Sequence, residues 1–199
     1  MTFIRRAWPL LPACVAFAYA LWLTSGARGA PDYDYWDMFT QMLTDDGLNV
    51  TLGTLYKTSN EHIVVLAKLA YVVNHSLTGG DNFGLSAIAC TFALVVAVVF
   101  ARAFSGMARS SSEAFVLGIL SAVAAFTPMA AHNFFIGMSG VAWLGANMMA
   151  VLAIAAFMRG SSRSSFAWIA LSFALAFLAG QFYSTGVVAM LAVGVQGLA

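Results

Sequence analysis

The chain has 199 residues, of which 61% are apolar and only 9% are Asp, Glu, Lys or Arg, against a charged share of roughly 25% in soluble domains. A water-facing surface cannot be built from that stock, since lysine occurs only at Lys57 and Lys68 and glutamate only at Glu61 and Glu113. Disordered, collagenous and disulfide-scaffold classes are excluded, a net charge of +1 gives no basis for nucleic-acid binding, and what remains is an all-α, polytopic membrane protein.

Residues 1–25 are expected to hold the first transmembrane helix. Trp8 to Thr24 is an apolar run behind Arg5 and Arg6, long enough with its flanks, at ~1.5 Å per residue, to cross a hydrocarbon core of ~30 Å. The arginines place the N-terminus in the cytoplasm. A cleaved signal peptide, with Ser25-Gly26-Ala27 as its site, is the competing reading, and under either one the next segment is outside.

Residues 26–82 form that extracytoplasmic segment and carry seven of the eight acidic side chains. Its opening interleaves Asp32, Asp34 and Asp37 with Tyr33, Tyr35 and Trp36. Aromatics at headgroup level form the usual belt. A carboxylate beside an apolar interface has a raised pKa, which makes it a usable general base near neutral pH. Asp45-Asp46-Gly47 reads as a turn, with the glycine supplying positive φ.

Residues 61–76 read as an interfacial helix. The apolar run Ile63 to Val73 is broken only by Lys68 and is too short to span, at about 16 Å. Glu61, Lys68 and His75 recur every seven residues and share one face of a helix lying along the membrane surface. Ser59 or Asn60 is its N-cap, Glu61 sits in its first turn, and Asn74, Gly79 and Gly80 end it. His62 stands where the apolar residues begin, suited to a phosphate when protonated or a metal when neutral. No second histidine follows at i+3 or i+4, so the spacing gives no metal site.

Residues 83–199 are expected to form an array of about four to five transmembrane helices: Phe83–Ala101, Ala114–Ala131, Ile136–Phe157, Ser165–Phe182 and a last run from Val187. That run would cover about 20 Å, which stops inside the hydrocarbon. It is read as a truncated span, and the chain as the N-terminal part of a larger protein. With 61–76 held outside, Arg102, Arg109, Arg159 and Arg163 join Arg5 and Arg6 on the inner side, as the positive-inside rule requires. His132-Asn133 and Gln181, Tyr183, Ser184 and Thr185 fall at outer ends of spans, on the side of the acidic segment, and suggest a pocket there. Asn147, in mid-span, reads as an interhelical hydrogen bond. Cys14 and Cys90 read as small buried hydrophobes without disulfide or metal spacing.

A long acidic first outer loop, an interfacial helix within it and a row of spans is similar to the GT-C superfamily of polytopic glycosyltransferases. Asp34-Tyr35-Trp36-Asp37-Met38 resembles an Asp-x-Trp-Asp-aromatic motif of a bacterial branch. Asn60-Glu61-His62 resembles an Asn-Glu-His-Arg motif, with Ile63 standing in place of the arginine, and Phe182-Tyr183-Ser184-Thr185-Gly186 looks like a Ser-x-Gly turn. The resemblance implies inverting transfer of a sugar from a polyprenyl-phosphate donor, at the outer face of the cell membrane, to a glycan, lipid or protein acceptor. Asp34 is then the first choice of general base and Asp37 the second, while Glu61 and His62 orient acceptor or phosphate. Trp36, His132, Gln181 and Tyr183 complete the expected substrate-binding set. No cofactor is called for, and a divalent metal stays open. The competing class is a non-enzymatic membrane protein, a transporter subunit or a polysaccharide-assembly factor. A transporter places charged or broken-helix groups near the bilayer midplane, and these spans hold almost none.

Overall fold

The computed structural model describes residues 7–29, 34–45, 47–58, 62 and 64–198, and the molecule is predominantly helical. A 3₁₀ turn, Trp8–Leu10, leads into α1 (Leu11–Thr24); then come α2 (Asp34–Thr40), a two-stranded hairpin of β1 (Leu43–Thr44) and β2 (Gly47–Leu48), α3 (Leu52–Tyr56) and α4 (Val65–Thr78). The remainder is α5 (Asn82–Ser105), α6 (Ser111–Ala125), α7 (Ala131–Phe135), α8 (Gly137–Ser162), α9 (Phe166–Phe182) and α10 (Val187–Leu198), with 3₁₀ turns at Pro128–Ala130 and Ser184–Gly186. Two helices, α5 with 24 residues and α8 with 26, are long and apolar enough to cross a membrane; α1, α6, α9 and α10 are apolar and shorter.

Local chemistry sets most of the helix ends. Pro9 and Pro12 sit in the opening turns of the first two elements, where the missing N–H costs nothing. The Asp81 carboxylate caps α5 by accepting the Phe83 N–H at 3.0 Å. Ser110 accepts the Glu113 N–H at 3.1 Å to cap α6, and Glu113 in turn accepts the Arg109 N–H at 2.7 Å. Gly79, at φ +70°, closes α4 in the left-handed conformation. In the hairpin Leu43 pairs with Leu48 and Thr44 with Gly47. The expected turn is therefore the hairpin loop, with Gly47 at φ +113° and Asp46 outside the described residues.

Several expected boundaries move. The interfacial helix begins at Val65 rather than at Glu61, for Val64 has φ −131° and ψ 46° and offers no side-chain cap. Glu61, Ser59 and Asn60 lie outside the described residues. The Val64 and Val65 side chains are instead packed into the core, and β-branched residues there favour an extended approach. The opening of the acidic segment is helical from Asp34, not a loop. The run from Ala114 stops at Ala125 because Thr127 precedes Pro128, and a residue before proline is driven out of the α region. His132 and Asn133 then belong to the short α7 instead of a turn. Helix α8 runs on through Ser162, so Arg159 lies in its last turn, its guanidinium 4.8 Å from the Trp168 ring centroid.

Polar contacts fix which ends lie together. Asn82 is 8% exposed, and its side-chain amide donates to the carbonyls of Ala27 (3.0 Å) and Phe135 (2.8 Å) while its oxygen accepts the Gly137 N–H (3.1 Å). One side chain thereby ties together the segment after α1, the start of α5 and the junction of α7 and α8. At the opposite end Trp8 stacks on Phe115 at 5.0 Å, joining the start of α1 to the start of α6. Arg102, Arg109, Arg159 and Arg163 belong to that second end, at the end of α5, the turn before α6 and the end of α8. The segment holding Asp37, Asp45 and Asp81 belongs to the first.

The described residues of 34–78 form a layer over that first end. Its core joins Tyr35, Met38, Phe39 and Met42 with Leu55, Val64, Val65, Ala67 and Tyr71, and with Leu85, Met138, Val141 and Phe182 of the long helices. Along the bundle the seams are lined by alanine: Ala89, Ala93 and Ala97 of α5, Ala153 of α8, and Ala176 and Ala179 of α9 are almost without exposure. Cys90 is buried among them, whereas Cys14 is exposed, because the inward stripe of α1 falls on Ala13 and Ala20. Asn147 is exposed on α8 and has no hydrogen-bond partner among the described residues, which overturns the interhelical bond expected for it.

Candidate functional site

Helix α4 organises the layer through its polar side. Lys68 has 0% exposure, and its ammonium donates to the Lys57 carbonyl (2.6 Å), the Thr54 carbonyl (3.1 Å) and Gln41 Oε1 (3.2 Å). Three neutral oxygens replace its water. Burial lowers its pKa from the ordinary lysine value, the Lys57 charge lowers it further, and Asp37 opposes both. The face carrying Lys68 therefore turns inward, onto the end of α3 and the chain after it. The side left exposed is the apolar stripe Leu69, Val73 and Leu77, at i, i+4 and i+8, with Leu77 79% exposed.

Helix α2 is held on α4 by aromatic rings. Tyr35 lies 5.4 Å from both Phe39 and Tyr71, and Phe39 lies 4.7 Å from His75. The Tyr71 hydroxyl donates to the Met138 carbonyl at 3.1 Å, fixing α4 to the start of α8. Burial pushes the Tyr35 phenol above its ordinary pKa. With Tyr35, Met38 and Phe39 buried, α2 leaves Trp36 and Asp37 exposed, Trp36 edge-on to Tyr35 at 5.2 Å. Asp34 is the first residue of α2, one turn before Asp37; its side chain, like Glu61, lies outside the described residues.

A second cluster joins residues from three parts of the chain. The Ser184 hydroxyl and His62 Nδ1 are 2.9 Å apart. The His62 ring lies 4.5 Å from Tyr183, and Tyr183 lies 4.5 Å from Trp143 of α8. Two glycines make this approach possible. A methyl group on Gly145 would collide with the Phe182 ring, and one on Gly186 with the Ala179 carbonyl, so the 184–186 turn is drawn tightly against the ends of α8 and α9. His62 and Tyr183 were both expected at a site, and the fold brings them together. Ser184, the serine of the Ser-x-Gly turn and a polar group at the end of a span in the sequence, joins them, and Trp143 is the member the sequence pattern does not single out, its one signal being an aromatic two turns into a helix.

The other expected residues are placed separately. Gln181 is half-buried in the last turn of α9, and its Oε1 is buried without a partner among the described residues. His132 is exposed on α7, which packs on α1, α5 and α8 and does not bring it into the cluster. Among the described residues no three of His, Cys, Asp and Glu converge as metal ligands. Lys68 is consumed by its three oxygens, so the cations left exposed in this layer are Lys57 and Arg28, the latter 5.5 Å from the Phe83 ring centroid. Chemically the layer offers an exposed carboxylate on a helix seated in the core and, at the bundle's end, a hydrogen-bonded imidazole and hydroxyl beside tilted aromatic rings. No protein-family model, curated protein or solved structure matches the chain.

Proposed function

We propose that the chain is a polytopic protein of the cell membrane, with its arginine end cytoplasmic and its acidic layer extracytoplasmic. On this reading it transfers a sugar from a polyprenyl-phosphate donor to an envelope glycan, lipid or protein acceptor. The observation that carries the membrane reading is the sorting of side chains by size. Alanines line the helix seams while Val15, Trp22, Leu120, Val123, Phe173, Phe177 and Leu191 are exposed. In water such a surface is a large unsatisfied apolar patch; in lipid, helices associate through small residues and leave large ones outside. The apolar stripe of α4 suits a helix resting on the bilayer surface.

The transfer itself needs one base and stabilisation of a departing phosphate. The acceptor hydroxyl attacks the anomeric carbon and passes its proton to a carboxylate of α2, Asp34 or Asp37. The C1–O bond to the lipid phosphate breaks, and the phosphate leaves with the electron pair. Base catalysis of this kind is worth about 10² to 10⁴ in rate. Support comes from Asp37, exposed on a helix whose other side is locked into the same core as Phe182, with Tyr183 packed against it. The acid and the His62–Ser184 pair thus rest on one scaffold. His62, when protonated, and Ser184 supply donors for the leaving phosphate.

The test is transfer of label from a polyprenyl-phosphate sugar by the whole protein in membranes. Asp34→Asn or Asp37→Asn is expected to lower turnover at least 100-fold with expression unchanged. His62→Ala is expected to raise KM more than it lowers kcat. Wild-type turnover in the double Asp34→Asn, Asp37→Asn variant removes α2 as the source of the base, and absence of transfer by the unaltered protein removes the transferase reading.

A further inference from the structure

We infer that a trench between α1, α6 and α7 seats one acyl chain of an anionic membrane phospholipid, with Arg28 and His132 at its mouth to receive the phosphate. The site depends on the membrane reading proposed above and not on sugar transfer. The trench has a volume of about 700 Å³ and follows α1 from Leu11 to Thr24, about 20 Å of helix. Ala16, Ala20 and Ala122 are its small floor, whereas Tyr19 and Leu23 of α1 and Ile119 and Val123 of α6 stand 40% to 58% exposed as its rims.

Two contacts hold the walls in place. Gly118 of α6 seats on the Pro9 carbonyl, where a methyl group would collide, and Phe126 stacks on Phe134 at 5.7 Å where α6 gives way to α7. The occupant must therefore fit a fixed shape. Where the helices of this bundle meet, the contact residues are largely alanines, which let backbones approach. Here the rims are large side chains, which would hold another helix away from the alanine floor and leave it empty. Unfilled space deprives its lining of dispersion partners. A single hydrocarbon chain is thin enough to lie between the rims and reach the floor, and the lining is almost wholly apolar. One leaflet of a ~30 Å hydrocarbon core is about 15 Å deep, so a bilayer acyl chain fits the length that α1 offers.

The layer end of the trench supplies the headgroup contacts. The Asn82 amide, bound to the carbonyls of Ala27 and Phe135, holds the segment after α1 beside the end of α7. Arg28 follows directly on that anchored residue and is exposed, its guanidinium 5.5 Å from the Phe83 ring centroid. Its Nε donates to the Ser25 carbonyl at 3.3 Å, and its terminal nitrogens have no hydrogen-bond partner among the described residues. The nearby Asp81 carboxylate already accepts the N–H groups of Phe83 and Gly29. His132, exposed beside Ala131 of the trench, adds a ring donor. An arginine with unpaired N–H groups at headgroup depth binds phosphate through charge-assisted hydrogen bonds. A zwitterionic headgroup would bring an ammonium that meets Arg28 as a like charge, so the site favours an anionic lipid.

The experiment places the full chain in phosphatidylcholine nanodiscs holding a trace of phosphatidylglycerol with a photoactivatable group on one acyl chain, and maps the labelled peptides by mass spectrometry. Labelling of the trench is expected to exceed labelling of the α6 face around Leu120, exposed and outside the trench, by about tenfold. Ala16→Trp, which fills the floor, and Ile119→Trp, which closes a rim without entering the core, are each expected to lower trench labelling about tenfold. Arg28→Gln is expected to lower it about threefold and to abolish the preference over a photoactivatable phosphatidylcholine. Even labelling of the trench and the Leu120 face, or unchanged labelling in both tryptophan variants, overturns the seat. Equal labelling of the unaltered chain by the phosphatidylcholine probe overturns the anionic headgroup. Displacement of the label by a polyprenyl phosphate and not by excess phosphatidylglycerol gives the trench to an isoprenoid chain and overturns the phospholipid. Failure of the chain to enter nanodiscs removes the membrane reading and the seat together, whereas entry without trench labelling removes the seat alone.

Discussion

In the layer of residues 34–78 the side chains without exposure are mostly large, Tyr35, Phe39, Met42, Lys68 and Tyr71 beside Ala67, whereas in the bundle they are mostly small, Ala13, Ala89, Ala97, Ala101, Ala153, Ala176 and Ala179 with Ser86 and Ser172, beside Leu85, Val141 and Val193. Both regions leave large apolar side chains outside, Val123, Phe177, Leu191 and Val195 on the bundle and Leu52, Val73 and Leu77 on the layer. The core of the layer is built around large side chains, as in water-soluble proteins. On the proposed membrane reading the bundle gains little from hiding a leucine from lipid, and its seams hold residues that let backbones approach. One chain thus carries two packing rules, and the change of rule coincides with the Asn82 junction.

Substitutions sharpen the contrast. Tyr71→Ala is expected to have the largest effect, about 4 kcal/mol, because it empties a ring-sized site and releases the Met138 carbonyl. Limited proteolysis should then cut within 34–78 while the helices remain protected. Lys68→Ala strands three oxygens and is expected to cost about 3 kcal/mol. The same residue gives the layer a pH dependence. Its folded pKa lies below its unfolded one, so between the two values the unfolded chain binds more protons and stability rises with pH towards the ordinary lysine value of 10.5. Lys68→Met is expected to flatten that rise, read as proteolytic protection between pH 7 and 10.

Within the bundle the expectation inverts. Ala153→Leu overfills a seam and is expected to cost about 2 kcal/mol in detergent melts. Phe177→Ala, a larger deletion at an exposed position, is expected to change the same melt by less than about 0.5 kcal/mol.

The long helices were legible because continuous apolar runs are a local signal, and Gly47 and Gly79, both at positive φ, marked a turn and a helix end. The end of α6 was also written in the sequence, at Pro128, and apolar length alone obscured it. What could not be read are choices made across the fold. Lys68 looked like a polar mark on an outer face, and nothing nearby shows that carbonyls of Thr54 and Lys57 wait for it. Val64 and Val65 continue an apolar run, yet the core takes Val64 before a helix can include it. Asn82 gives no local hint that it binds three segments. Of the expected site residues, His62 and Tyr183 came together and His132 did not, because α7, absent from the sequence reading, carries it elsewhere.

The sidedness of the two packing regimes admits a direct measurement. In a Cys14→Ser, Cys90→Ala background, single cysteines replace Leu52, 76% exposed in the layer, and Ser111, exposed at the arginine end, and intact cells are treated with a membrane-impermeant maleimide. Labelling of Leu52→Cys in intact cells, with Ser111→Cys reacting only after lysis, is the predicted result; labelling of Ser111→Cys from outside would contradict it.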